Sequence, residues 1–250
     1  MNNVLPIIGF CYNDNPSLLR KVCRVLRYTS GLILSNPDIM HDLDISYTRP
    51  TIFSFLPPPE LDWSMSDPLT WIQIPPLDRA GFLVFYSKTM PFFLPDDAEN
   101  ILHVGDDGFI SNPRSWSAAF SKCDYIGAPW EDGAVGNDGF SLQSRRWVTA
   151  MSRYGWVDGT VNPDYLFCRD ANWIERNKLT VASTETAEQF SSELRDNVAR
   201  PFGFHGHRHG EKHYAEAWKR LEGWEILNGG DLLADDAVLL RECGVKQGRS

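Results

Sequence analysis

Two neighbouring carboxylates, Asp106 and Asp107, follow a short apolar run over residues 101–104 and are closed by Gly108. A divalent cation takes hard oxygen ligands, and a departing diphosphate needs its charge neutralised. Carboxylates at a strand end therefore suit a clamp for a metal and a diphosphate, although an acidic turn without any ligand has the same local sequence. Successive side chains on a strand point to opposite faces. Asp107 is thus the expected metal ligand, with Asp106 beside the donor, behind the site or facing solvent. Further along, Gly136-Asn137-Asp138-Gly139 precedes a second apolar run. Glycines in such a turn let backbone amides approach a sugar or phosphate closely. Asp164, after Pro163, sits where a helix dipole favours a carboxylate with or without chemistry. The run His205-Gly206-His207-Arg208-His209 comes last, with His213 beyond it. Its H-x-H-x-H spacing matches structural zinc sites poorly. One functional histidine among exposed ones fits better, with Arg208 as a fork for a diphosphate.

The elements that must hold these residues are readable in outline. Residues 4–11 form an apolar run that ends in Tyr12-Asn13-Asp14. Asn15 reads as a helix cap and Pro16 as the first helical residue. Leu18, Leu19, Val22, Val25 and Leu26 then recur at helical spacing. A second short strand is expected over residues 32–34 after Gly31. This strand–helix–strand opening implies an α/β fold with a mostly parallel, Rossmann-type sheet, and ligands at the carboxyl ends of its strands. Between 42 and 76 the pattern weakens among Pro57-Pro58-Pro59, Trp63, Pro68, Trp71, Pro75 and Pro76. The reading there is a partly ordered insertion with a strand near 52–56, either a lid or a stiffened surface loop. Later expectations are a strand at 101–104, a helix from Asn112-Pro113 to Phe120, and a strand at Tyr125-Ile126. Helices follow around Trp147-Val148-Met151 and over 163–175, 184–197 and 212–224. No repeat or domain boundary is visible, so residues 1–250 read as one domain.

Composition narrows the class. With 42% apolar and 23% charged residues the chain is not disordered in bulk. A net charge of −9 argues against an extended basic face for nucleic acid or anionic lipid, while a local strip of Arg145, Arg146 and Arg153 stays open. Five cysteines, without C-x-x-C spacing, read as reduced thiols in a cytoplasmic protein. Neither a signal segment nor an apolar run long enough to span a bilayer is apparent. Nine tryptophans are candidates for loop anchors or for a sugar-stacking surface.

The stretch Y-I-G-A-P-W at 125–130, followed by V-G-N-D-G-F-S-L-Q-S-R at 135–145, is similar to an uncharacterised glycosyltransferase-like family of bacteria and phages assigned to the GT-A fold. The resemblance covers roughly residues 80–210. Asp107-Gly108 matches its strand end, Pro163-Asp164 its acidic helix start, and Pro201 to Gly206 its closing P-F-G-F-H-G. It implies a single GT-A-like domain. Residues 1–40 would be the nucleotide side, and 80–210 would carry the metal, donor and acceptor sites. It implies Mn²⁺ or Mg²⁺ held by Asp107 and His205, and a nucleotide-diphosphate sugar, a UDP-sugar, as donor. Gly136, Asn137 and Gly139 would shape the sugar pocket, and Tyr12 and Asn13 would lie at the nucleotide base. Asp164 would be the base of an inverting enzyme. This chain departs from the family in having Gly-Asp-Asp for Asp-x-Asp, Asp138 for a glycine, and Pro163 for an acidic residue. The acceptor is left open among a glycan, a protein and a hydroxymethylated base of phage DNA. A metal-dependent phosphoesterase and a non-catalytic glycan-binding domain are the rival readings.

Overall fold

A computed structural model of the chain describes residues 3–59, 69–155, 157, 159–195, 197–206 and 211–227. β1 (Val4–Cys11) is buried along its whole length, as a strand covered on both faces must be. Asn15 caps α1 (Pro16–Leu34), its side chain accepting the Leu18 amide at 3.0 Å. That bond satisfies one of the amides a helix start leaves open. Residues 32–34, expected as a strand, are the last turn of α1. Gly31 does not end the helix; it gives room to a ring. A side chain there would put its Cβ 2.3 Å from Trp224 Cζ2.

α2 (Pro37–Asp42) leads into β2 (Tyr47–Ser54), which lies parallel to β1 in register from Val4↔Tyr47 to Cys11↔Ser54. β3 (Thr70–Gln73) adds to β2 in parallel at the sheet edge. The 42–76 stretch, read above as an insertion, thus supplies two strands of the main sheet. Most of β2 is buried on both faces, which erases the alternation that marks a half-exposed strand. Residues 60–68, with Trp63, lie outside the described residues.

α3 (Arg79–Val84) is capped by Asp78 and runs on into irregular helical turns as far as Phe93. β4 (Asn100–Val104) pairs in parallel with β1, and β5 (Gly108–Ile110) follows a three-residue turn. In place of the helix expected from Asn112 there are two 3-10 turns, Pro113–Ser115 and Ala118–Lys122. Next come β6 (Tyr125–Ile126), β7 (Phe140–Ser144) and α4 (Arg145–Arg153). The helix expected over 163–175 divides into α5 (Pro163–Arg169) and α6 (Ala171–Arg176). At the break the Asp170 side chain accepts the Trp173 amide at 2.9 Å and starts the second piece. α7 (Thr184–Phe190), β8 (Ser191–Ser192), β9 (Gly203–His205) and α8 (Glu211–Leu227) complete the order.

The chain has the expected α/β architecture. A six-stranded sheet in the order β3-β2-β1-β4-β7-β6 is flanked by helices. β1 to β4 run parallel, and β7 runs against both β4 and β6. A second sheet, β5-β9-β8, packs Phe109 and Phe204 into the core at a ring separation of 4.9 Å. Among the described residues, Cys11, Cys23, Cys123 and Cys168 are free thiols; Cys243 lies outside them. No helix of the described residues is long and apolar enough to cross a membrane.

Candidate active site

The order of the large sheet reverses between β1 and β4. From β1 the chain adds β2 and β3 on one side and then returns to place β4 on the other. Crevices beyond the carboxyl ends of strands at such a reversal are the usual ligand sites of α/β sheets. β1 ends at Cys11, so Tyr12 and Asn13 stand on one lip. The Tyr12 ring stacks on Phe82 at 4.3 Å, and the Asn13 carbonyl and side-chain oxygen each lie 3.7 Å from Cys11 Sγ. β4 ends at Val104, so Gly105-Asp106-Asp107 forms the other lip. Lys21 of α1 reaches Asp106 Oδ2 at 3.4 Å, tying that carboxylate to the first turns of the helix.

The turn is held from beneath. The Gly105 amide faces the carbonyls of both Gly108, at 3.0 Å, and Gly139, at 2.9 Å. The Gly206 amide donates to the Asp107 carbonyl at 2.8 Å. β5 and β9 pair with Gly108 opposite His205, which sets the imidazole beside the turn. His205 Nε2 lies 3.7 Å from Asp107 Oδ1, and His205 Nδ1 lies 3.4 Å from Glu193 Oε1. Gly139 is required at this spot because the imidazole rests on its α-carbon. A Cβ there would fall 1.9 Å from His205 Nε2. Burial alone would lower the His205 pKa, but the nearby carboxylate of Glu193, followed by the charge of Asp107, holds it above the ordinary value.

A pair of acids lies close to the imidazole. Asp138 and Asp164 line one small cavity with Tyr86, Tyr125, Gln143 and Trp147. Asp164 starts α5, is 9% exposed, and accepts the Tyr165 amide at 2.8 Å. The Asp138 backbone also bonds its carboxylate. Asn137 beside them adopts φ +62°, a left-handed backbone that asparagine tolerates better than most residues. Loss of hydration and then the Asp164 charge push the Asp138 carboxyl well above the usual range. Loss of hydration likewise raises Asp164. Both feel the charge of His205, so imidazole and carboxyls share one electrostatic environment. Beneath them, burial drives His103 down to about 3, and it is neutral at any working pH.

These raised carboxyl pKa values make stability depend on pH. The native state keeps a proton that the unfolded chain releases above about pH 4, so stability falls as pH rises from there towards the folded-state value. The slope approaches ~1.4 kcal/mol per pH unit for each proton retained. Asp138→Asn should flatten it, leaving the variant more stable than the native protein at pH 8 but not at pH 4. Urea unfolding in EDTA buffers across that range measures the difference, and parallel pH profiles for the two proteins would contradict it.

The folded chain sets His205 against Asp107 and Gly139, and its charge reaches Asp138 and Asp164, which line the small cavity together; Asn137 and Gly136 lie in the turn before Asp138. Arg208 lies outside the described residues. Of the possible basic strip, Arg145 bonds the Ala98 carbonyl at 2.8 Å and Arg146 reaches Asp124 at 3.5 Å, so both are occupied in holding structure. The residue that sequence reasoning missed is Glu193. It lies in the stretch 184–197 expected as helix, but α7 ends at Phe190 and β8 turns the chain towards β9. Nothing local in the sequence marks it. Among the described residues no group of three or more His, Cys, Asp or Glu side chains forms a cation cage. Two donors with a supporting carboxylate fit instead a divalent ion that takes its other ligands from a diphosphate and water.

The sequence model of a family described as "Protein of unknown function (DUF5672)" matches residues 85–205. That span contains Asp106, Asp107, the Gly136 to Gly139 turn, Asp164, Glu193 and His205 but not Tyr12, Asn13 or Lys21, and overlaps the stretch that carries the family resemblance. No curated protein matches the chain. Among solved structures, a Drosophila beta-1,4-galactosyltransferase 7 mutant in complex with manganese, UDP-Gal and xylobiose aligns at 11% identity and TM-score 0.42. That alignment covers 80% of this chain and 68% of that one. The apo-form glycosyltransferase GlyE of Streptococcus pneumoniae aligns at 11% identity and TM-score 0.46, over 92% of this chain and 65% of that one. The chain therefore spans less than two thirds of the length of GlyE. These likenesses concern the chain path alone, and the chemistry of the cleft rests on its own residues.

Proposed function

We propose that the chain, read as one domain over residues 1–250, is a metal-dependent glycosyltransferase. It moves a sugar from a nucleotide-diphosphate donor, a UDP-sugar, to an acceptor hydroxyl with inversion. The observation that carries this reading is the approach of Asp107 Oδ1 and His205 Nε2 to 3.7 Å beside a buried Asp138–Asp164 pair. A hard-cation site and a basic carboxylate facing one cleft are what transfer from a sugar diphosphate needs. Asp107 and His205 would hold Mn²⁺ or Mg²⁺, which when bound supplies Lewis-acid charge for the departing diphosphate.

This chain's residues do the rest. Glu193, 3.4 Å from His205 Nδ1, would orient the imidazole so that Nε2 faces Asp107. The turn at Asn137 and Gly139 borders the donor sugar, while Tyr12 and Asn13 border the nucleotide and Lys21 screens Asp106. Asp164, its basicity raised by burial, takes the proton of the acceptor hydroxyl. The acceptor oxygen then bonds the anomeric carbon, and the bond from that carbon to the diphosphate breaks with its electrons on the leaving oxygen. Asp138 supplies the second carboxyl that Pro163 removes from the family's pair. The unpaired thiols are in keeping with a cytoplasmic setting, and the acceptor is a glycan, a protein or a modified base.

A nucleotide-sugar panel with and without Mn²⁺, followed by thermal unfolding and mass spectrometry, tests the reading. One UDP-sugar should raise the melting temperature only with metal and should be slowly hydrolysed. Asp107→Asn should abolish both effects. If no nucleotide-sugar stabilises the protein in the presence of Mn²⁺ or Mg²⁺, the transferase reading is wrong.

A further inference from the structure

Tyr165 follows Asp164 directly in the first turn of α5, yet where Asp164 faces the cavity, Tyr165 is 53% exposed. An exposed tyrosine on a short helix is ordinarily free to move, but this one is built into a stack. The Arg169 guanidinium lies over the Tyr165 ring at 5.0 Å and over the Trp130 ring at 4.7 Å, and the two ring centroids are 5.8 Å apart. Asp132 Oδ2 holds Arg169 at 2.7 Å. Trp130 and Asp132 belong to one tight loop, closed by the Trp130 amide on the Ala134 carbonyl at 2.9 Å. The other edge of Trp130 covers Gly136, where a Cβ would fall 1.9 Å from the indole. The stack is thus continuous with the turn that carries Asn137, Asp138 and Gly139.

We infer that the exposed ring of Tyr165, backed by Arg169 and Trp130, forms a platform for the ring of an acceptor sugar, with Arg169 and Asp132 at its edge reading the hydroxyls. The inference deepens the transferase reading and rests on it for the word acceptor. A pyranose has one face of C–H bonds and a rim of hydroxyls, and it matches an aromatic surface edged by charged hydrogen-bonding groups. A platform already ordered by cation–π contacts loses little freedom on binding. The platform stands on the same first turn of α5 as Asp164, with Tyr165 on its solvent side. A polyanionic acceptor is disfavoured, since Asp132 borders the platform and the whole chain carries −9.

Saturation-transfer NMR with methyl glycosides of glucose, galactose, mannose, xylose and N-acetylglucosamine tests the platform without any turnover. 5-Hydroxymethyl-2′-deoxycytidine serves as the contrasting probe. At least one glycoside should receive saturation from the native protein. Tyr165→Ala should weaken that binding by about tenfold or more, the size of one lost aromatic stack, whereas Tyr165→Phe should keep it. Phe92→Ala, a change at an exposed ring in another part of the chain, should leave it unchanged. Binding of no glycoside, glycoside binding that survives Tyr165→Ala, or a preference for the deoxynucleoside would each overturn the platform. Calorimetric titration of UDP with Mn²⁺ into the native protein separates the two ideas. Absence of that binding removes the transferase reading, while the glycoside data alone decide whether sugars stack here.

Discussion

Asp164→Asn is expected to slow sugar transfer by about 10²- to 10⁴-fold, the range that a positioned general base supplies, while donor and metal still bind. The substitution keeps the shape of the side chain and an oxygen for the Tyr165 amide, which Asp164 accepts at 2.8 Å, so α5 should start as before. What it removes is a carboxylate held in the cleft with Asp138 and raised by burial. Two readouts follow from one change. Single-turnover transfer with saturating donor and acceptor should fall by those orders of magnitude. The Asp138 carboxyl should also titrate lower, because the Asp164 charge is one of the causes that raise it. A variant that transfers sugar near the native rate would take the base role away from Asp164, whatever the fate of the metal site.

Gly139→Ala should weaken Mn²⁺-dependent UDP binding by about 10- to 100-fold, the range seen when the support of a metal ligand is disturbed. The added methyl would stand 1.9 Å from His205 Nε2 and 2.1 Å from Cδ2, so the imidazole must leave its place beside Asp107. The Gly139 carbonyl also accepts the Gly105 amide at 2.9 Å, and any backbone shift there would move the Asp106–Asp107 turn. The cause can be isolated with a double-mutant cycle. In a His205→Ala background the methyl meets no ring, so Gly139→Ala should cost far less stability than in the native protein. Equal costs in both backgrounds, measured by urea unfolding, would show that the glycine serves something other than the histidine.

Sequence patterns reveal this fold best where a helix or strand shows its own period. The Asn15-Pro16 start of α1, the 101–104 strand and the face of α4 bearing Trp147, Val148 and Met151 are of that kind. β2 is not, because it is buried on both faces for most of its length and so reads as part of an irregular stretch. Gly31 reads as a helix end because glycine so often is one, whereas here α1 continues past it and it admits the Trp224 ring. In the cleft, Asp107 and Asp164 stand out by their neighbours in sequence, since a strand end and a helix start are local features. Glu193 does not stand out, because its role depends on β8 and β9. Strands of two and three residues carry no period, and their pairing joins parts of the chain that have no sequence relation. The Trp130–Arg169–Tyr165 stack is hidden for the same reason.

The ladder between β5 and β9 has a further consequence. It joins segments roughly a hundred positions apart through three residue pairs, and contacts of such long range cost loop entropy before they return anything. During synthesis, every strand of the large sheet has emerged before His205 exists. The growing polypeptide therefore acquires its scaffold first and brings His205 beside Asp107 last, when its late segments dock.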